Sequence, residues 1–265
     1  MSRKCFFAQG IGPETETVEL SSEESHHMEN VLRLGIGEAV EIRDGLGNAW
    51  AGEIAGKGRK NVSVRVLGRL DLSHREPLMH ITLALGIARS DLMDIAVRQA
   101  TEMGVRRLAV FRASRSQYAL HERIIDKKVG RWAKIAREAM CQCGRTRVPD
   151  IAVFEDTNHF LGNTGEQGGK ALKIFALEGE RNRSLELLRG SRSLCDHIVA
   201  VVGPEGGWDQ PEIEGLMSAG FQPVHLGPRI LRFETAVVAM VSLIQLLWGD
   251  FGEMERKEND ENEMQ

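Results

Sequence analysis

The chain has 265 residues, about 1.8 times a ~150-residue domain, so one large domain or two modest ones are expected. It is 42% hydrophobic and 27% charged, which excludes a disordered chain. Nine Phe, four Trp and one Tyr exclude a multi-aromatic base-stacking platform. Four Cys in this length make no disulfide framework. No apolar run reaches ~18 residues, and the opening MSRKCFFAQGIGPETE turns polar at once. A soluble, cytoplasmic protein of a reducing compartment is therefore expected.

The first ~72 residues read as small and mostly β, in five short runs: Lys4–Ala8, Thr17–Leu20, Ala39–Asp44, Ala49–Ala55 and Asn61–Gly68. Val62, Val64 and Val66 alternate with Ser63 and Arg65, the pattern of a half-buried strand. Asp44–Asn48 (DGLGN) signals a hairpin. One helix interrupts, with Ser21 and Glu24 as a capping box and Met28, Val31 and Leu32 as its apolar face. A small barrel is expected, followed by a polar linker at Asp71–Pro77.

From Met79 onward strands and helices alternate, which predicts a largely parallel sheet with helices on both faces. The strands are Met79–Leu85, Leu108–Phe111, Ile151–Phe154, Leu172–Leu177, Ile198–Val202 and Pro223–Leu226. The helices are Asp91–Met103 with Ser90 as N-cap, Glu122–Gln142, and Gln210–Ala219 with Asp209 as N-cap. A last helix, Glu234–Trp248, is apolar nearly all round and must be buried. A subunit interface and a deep core are both open explanations. Gly162–Gly169 reads as a mobile loop, and residues 250–265, net −5, as a disordered acidic tail.

The net charge of −4 hides a concentration of bases. Between Arg106 and Arg147 there are twelve Lys/Arg against three acids, net +9. They include Arg106, Arg107, Arg112, Arg115, Arg123, Lys127, Lys128, Arg131, Lys134, Arg145 and Arg147. So single-signed a run predicts a polyanion surface, with nucleic acid as its partner, over a merely solvated helix face. Lys57, Arg59, Lys60, Arg65 and Arg69 offer a second contact.

Most enzyme fingerprints are missing. There is no dinucleotide or P-loop glycine motif and no GxSxG. Cys141 and Cys143 lack a second pair, so no metal is expected. His26 and His27 read as ordinary helix histidines. Two segments stand out. Gly203–Trp208 (GPEGGW) follows an apolar strand and precedes a helix, where open α/β sheets bind ligands. Leu226–Ala236 (LGPRILRFETA) packs Arg229, Arg232 and Glu234 among apolar residues at another strand end. A plain turn and a structural Arg–Glu pair are the bland readings of the two.

Taken together, these segments resemble the C-terminal signature of the ribosomal RNA small subunit methyltransferase E family, 16S rRNA uridine N3-methyltransferases of the SPOUT superfamily. Ser25–Gly37 (SHHMENVLRLGIG), Met93–Val105 (MDIAVRQATEMGV) and Gln142–Pro149 (QCGRTRVP) resemble further stretches of that family, over about residues 3–250. Phe233 stands where the family pattern has Thr, Met103 where it has Leu, and Cys141 where Glu or Gln is frequent.

The resemblance implies an α/β fold: a PUA-like β-barrel over 1–74, then a SPOUT domain over 75–249 with a C-terminal trefoil knot. It implies a homodimer that methylates N3 of one uridine, uridine 1498, in 16S rRNA of the small ribosomal subunit. It also implies S-adenosylmethionine as methyl donor. Leu177, Gly203, Pro204, Glu205, Gly206, Leu226, Gly227, Ile230, Leu231, Thr235 and Ala236 are the expected donor cleft. Arg232, with Arg229 behind it, is expected to stabilise charge on the ring oxygens, and Glu205 or Glu234 to accept a proton or orient an Arg. Two alternatives stay open: a SPOUT enzyme with another RNA target, and a non-catalytic RNA-binding assembly protein.

Overall fold

The computed structural model describes residues 4–59, 61–118, 122–164, 171–180 and 197–251, with backbone only at 122 and 123. Lys60, the Gly-rich stretch beyond Thr164, and the tail beyond Phe251 lie outside the described residues.

Two sheets form. The first has the order β1-β3-β4-β5-β2: β1 (Cys5–Phe7), β2 (Thr17–Glu19), β3 (Ala39–Arg43), β4 (Ala49–Lys57) and β5 (Val62–Leu70). Its β3–β4 hairpin turns through DGLGN as expected. The Asp44 carboxylate accepts from the backbone N–H of Leu46 (2.7 Å) and Asn48 (3.0 Å). The helix α1 (Ser22–His26) opens on Ser21, whose hydroxyl accepts from Glu24 N–H, and runs on as a π-helical turn, His27–Val31. Leu20, Met28 and Leu34 close over Phe6, Val40, Ile42, Ile54, Val62 and Val64, forming a separate small core. The strand order ends in β1 and β2, which do not pair with each other among the described residues; to that extent the sheet departs from the expected barrel.

The second sheet is parallel throughout, in the order β11-β9-β10-β6-β7-β8. Its strands are β6 (His80–Gly86), β7 (Arg107–Phe111), β8 (Asp150–Phe154), β9 (Ala171–Ala176), β10 (His197–Val202) and β11 (Gln222–Val224). Because both faces are covered, the central strands are near-continuous apolar runs. Along β10, Ile198, Ala200 and Val202 face one layer while Val199 and Val201 face the other. The first layer is α2 (Ser90–Glu102), α3 (Glu122–Cys143) and α6 (Phe233–Trp248). The second is α4 (Thr157–Gly162) and α5 (Gln210–Ser218), packed through Phe160, Leu216 and Phe221.

Three local expectations change. α2 begins one residue early, with Arg89 and not Ser90 at the N-cap position, and no side chain caps it. α4 was not expected; six residues carry too little periodicity to read. α6 starts at Phe233, which is buried in the core, so the departure from Thr there is absorbed by packing. One side of α6 (Val237, Met240, Val241, Ile244, Trp248) sits in the core, while Leu246 is exposed on another.

The two units meet at the amino edge of the parallel sheet. Arg145 was expected to contact RNA. It is instead 4% exposed and pinned inside. Its guanidinium donates to the carbonyls of Thr101 (2.8 Å) and Val105 (2.9 Å) and to Glu76 Oε2 (2.9 Å). The other Glu76 oxygen accepts from the backbone N–H of Thr146 (2.7 Å) and Arg147 (3.0 Å). Arg43, fully buried on β3, donates to the Arg145 carbonyl at 2.9 Å. The DGLGN turn docks here too: Gly47 N–H donates to Thr146 O and Val148 N–H to Gly45 O. An Arg without phosphate in this position is satisfied by carbonyls and a carboxylate, which is what burial of a guanidinium requires.

The basic stretch is therefore not one patch. Arg106 and Arg107 lie at the amino end of β7, and Arg112 and Arg115 just past its carboxyl end. Lys127, Lys128, Arg131 and Lys134 follow α3 back toward the amino edge. Exposed Arg131 is held by the buried Asp94, and Lys134 by Glu23 at the surface. Arg147 is half-buried, its guanidinium against Gly47. Arg123 lies in the first turn of α3, and its side chain is outside the described set.

Candidate active site

In a parallel sheet every loop that leaves a carboxyl end emerges on one edge. Here α2 leaves β6 toward one face and α5 leaves its neighbour β10 toward the other. That reversal opens a crevice at the carboxyl edge. The loops after β6, β7, β9, β10 and β11 all reach it.

The loop after β10, Gly203–Trp208, is packed tightly on the protein itself. Gly203 lies against the Trp208 ring, and a Cβ on it would stand 2.7 Å from that ring. A Cβ on Gly86 would stand 2.7 Å from the Pro204 nitrogen, and one on Gly206 would stand 2.7 Å from the Arg115 carbonyl oxygen. The glycines at 203 and 206 thus serve close intramolecular packing, not open approach to a ligand. Glu205 is exposed, and its carboxylate accepts from the Arg89 N–H at 3.1 Å, satisfying an orphan donor at the start of α2. Asp209 and Glu212 then form a complete capping box at the start of α5.

The loop after β11 carries the arginines. Gly227 has φ +97° with nothing within 4 Å of a Cβ position, so bare backbone faces open space. Gly207, φ +70°, is alike. Arg229 and Arg232 are exposed, Glu234 is half-buried, and none of the three has an ion pair among the described residues. The bland reading, an Arg–Glu capping pair, is thus not what forms. Arg232 stands at the N-cap position of α6 without a capping side-chain bond. Ile230 is 78% exposed in the same loop, while Leu231 and Ala236 are partly buried and Thr235 is exposed.

The two loops flank the end of β9. Trp208 Nε1 donates to the Ala176 carbonyl at 2.8 Å, and the next residue, Leu177, donates its N–H to the Val224 carbonyl at 3.0 Å. So Gly203–Trp208 and Leu226–Arg232 bracket Ala176–Leu177 from either side. Leu177 leans on the α4/α5 layer and Leu226 on the α2/α6 layer, leaving an apolar lip between two backbone loops. This edge offers open backbone groups, an apolar wall and cations without an ion pair among the described residues, a chemistry suited to a polar cofactor with an apolar ring.

Residues that sequence reasoning passed over lie here as well. Arg89 holds Glu205 through its backbone and pairs its guanidinium with Asp91 at 2.6 Å. Its position just past the carboxyl end of β6 was the available signal. Ser114, Glu155 and Asn158 line a neighbouring cleft beyond β7 and β8. Among the described residues no cluster of three His, Cys, Asp or Glu side chains suits a metal ion, and no helix is long and apolar enough to cross a membrane.

Comparison with known proteins places the chain in a family. A family model described as an RNA methyltransferase domain matches residues 74–245, and one described as an RNA methyltransferase PUA domain matches residues 20–67. A solved ribosomal RNA small subunit methyltransferase E from Neisseria gonorrhoeae, bound to S-adenosyl methionine, is 30% identical with a TM-score of 0.84, covering 94% of this chain and 100% of that one. A methyltransferase from Legionella pneumophila, solved with the cofactor SAM, is 27% identical with a TM-score of 0.85 over the same shares. Among curated proteins, ribosomal RNA small subunit methyltransferase E of Bacillus subtilis is 29% identical over 89% of this chain and 94% of its own length. With a domain model spanning most of the chain and a 30% identical relative covered end to end, the chain belongs to the ribosomal RNA small subunit methyltransferase E family.

Proposed function

We propose that this protein transfers a methyl group from S-adenosylmethionine to N3 of a specific uridine, position 1498 by family resemblance, in 16S rRNA of the small ribosomal subunit. The single observation that carries the reading is that the Gly203–Trp208 and Leu226–Arg232 loops leave the strands on either side of Ala176–Leu177 at one edge, with two arginines that have no ion pair among the described residues. S-adenosylmethionine supplies an electrophilic methyl on its sulfonium. Leu177, Leu226 and Ile230 wall its apolar part, and the open backbone at Gly207 and Gly227 meets its polar part.

The chain's own task is to make uracil N3 a nucleophile. N3 must lose its proton, and the charge left behind spreads to the ring oxygens. Arg232 stabilises that charge as it develops, with Arg229 as support. Glu205 or Glu234 takes the proton or orients an arginine. The N–CH₃ bond forms as the S–CH₃ bond breaks, yielding S-adenosylhomocysteine, N3-methyluridine and a proton.

Around this core we assign residues 1–74 to a PUA-like barrel and 75–249 to a SPOUT domain with a trefoil knot, acting in the cytoplasm as a homodimer. The exposed Leu246 side of α6 supports a subunit contact there. Arg112 and Arg115 at the active edge, with Lys127, Lys128 and Arg131 on α3, contact RNA phosphates. Mass spectrometry of 16S rRNA from cells lacking the protein tests the reading. Loss of N3-methyluridine supports it; an undiminished level removes it.

A further inference from the structure

Beside the crevice lies a second cleft of about 320 Å³. It is built from three loops at the carboxyl edge: Arg112–Ser114 after β7, Glu155–Asn158 after β8, and Pro211–Glu212 in the first turn of α5. Its floor is Glu212, 7% exposed and fully engaged. Glu212 Oε1 accepts from Ser114 N–H (3.0 Å) and from the Thr157 hydroxyl (2.6 Å), and Oε2 from Asp209 N–H (3.4 Å). One buried carboxylate thus ties all three loops into a fixed shape.

The walls are different. The guanidinium of Arg112, the hydroxyl of Ser114, the carboxylate of Glu155 and the amide of Asn158 all border the cleft, exposed and without a hydrogen bond or ion pair among the described residues. A fixed floor under four uncommitted polar side chains gives the cleft the means to hold a polar ligand. The volume sits at the lower end of the ~300–1,000 Å³ usual for small-ligand sites, too little for an RNA helix. Charge is divided across it. Arg112 suits a phosphate, whereas Glu155, beside exposed Asp156, repels an anion and accepts from N–H or O–H groups. Asn158 both donates and accepts, as a base edge requires. A nucleotide, anionic at its phosphate and rich in donors and acceptors at its base and ribose, fits that division.

We infer that this cleft holds an unpaired nucleotide of the RNA substrate beside the one methylated, with its phosphate at Arg112 and its base or ribose edge at Ser114, Glu155 and Asn158. The inference rests on the proposed RNA methyl transfer. Position supports it: the Arg115 carbonyl abuts Gly206, so the loop lining the cleft is the loop that backs the donor crevice. Two strand spacings of ~4.8 Å separate β7 from β10, so a strand of RNA crossing the edge meets both. The lining has no aromatic ring, so recognition is by edges and not by stacking.

The test uses small ribosomal subunits purified from a strain lacking the protein, and the variants Asn158→Ala and Glu155→Ala. Methyl transfer is measured as kcat and KM for the subunit, with S-adenosylmethionine affinity by calorimetry and Tm by melting. We expect Asn158→Ala and Glu155→Ala each to raise KM about tenfold, one hydrogen bond's worth, with donor affinity within about twofold and Tm unchanged. KM within about twofold of wild type in both variants overturns the inference. So does a matching loss of donor affinity, which would give the cleft to the cofactor. Should a variant melt early, wild-type protein cross-linked to 4-thiouridine-substituted 16S rRNA decides: adducts in residues 112–118 or 155–161 support the site, and their absence overturns it. Failure of the parent reading looks different, since wild-type protein itself would then transfer no methyl group.

Discussion

Gly206 faces the backbone carbonyl of Arg115 so closely that a Cβ on Gly206 would stand 2.7 Å from that oxygen. Neither group is the flexible end of a side chain, so one loop must move if Gly206 acquires a methyl. Gly206→Ala is expected to displace the GPEGGW loop and slow methyl transfer on the order of 10²-fold. Single-turnover transfer with saturating donor measures it. A rate within twofold of wild type would show that the loop position does not matter.

Arg232 makes no side-chain cap on α6 and no ion pair among the described residues, so folding does not depend on it. Arg232→Ala should leave Tm within a few degrees and reduce kcat about 10²–10³-fold, the range for losing one donor to a developing oxyanion. Wild-type kcat in this variant would remove the arginine from the chemistry, though not the family assignment.

Glu24 has its pKa pushed up to about 7. Burial is the main cause, opposed by a hydrogen bond from the Phe7 backbone and reinforced by Glu23; Arg137 pulls it down and Glu138 up. A carboxyl raised in the folded state binds more protons folded than unfolded between pH ~4.5 and ~7. Stability therefore falls as pH rises through that window. Glu24→Gln should remove this fall and stabilise the protein at pH 8 by about 1–2 kcal/mol, allowing for solvent screening of a half-exposed group. Urea unfolding at pH 5 and pH 8 checks it: the wild type should lose stability over that step by more than the variant does.

Arg145 and Glu76 pin the segment that joins the two units to the base of the parallel sheet. Arg145→Ala strands the Glu76 carboxylate and two buried carbonyls, an expected cost of about 3–5 kcal/mol. Glu76→Gln keeps an acceptor for the Thr146 and Arg147 amides and should cost less. Midpoints of urea unfolding for the two variants order the effects; equal losses would mean that charge is not what holds the boundary.

The elements were largely legible because they are periodic. The valines of β5, the apolar run of β10 and the Asp209–Glu212 box of α5 each state their own structure locally. The order of the sheet is not local: nothing in the run Ile198–Val202 says that β10 inserts between β9 and β6. The candidate loops were legible from glycines and arginines at strand ends, yet the reason for Gly203 and Gly206 was not. Their neighbours are Trp208 and Arg115, one near in sequence and one far. Arg145 shows the same limit. In sequence it completes a run of bases, but a β-α-β unit crosses the sheet and returns, so that run is dealt out to opposite edges and its last arginines land at the boundary of the two units.

That division of edges has a consequence for how the molecule can change. Arg43 and the DGLGN turn fasten the first unit at the rim where the parallel strands begin, and the candidate site loops crown the rim where they end. The central strands between them act as fixed struts. Substitutions that shift the first unit at its attachment rim leave the crown in place, so the two rims are free to change independently.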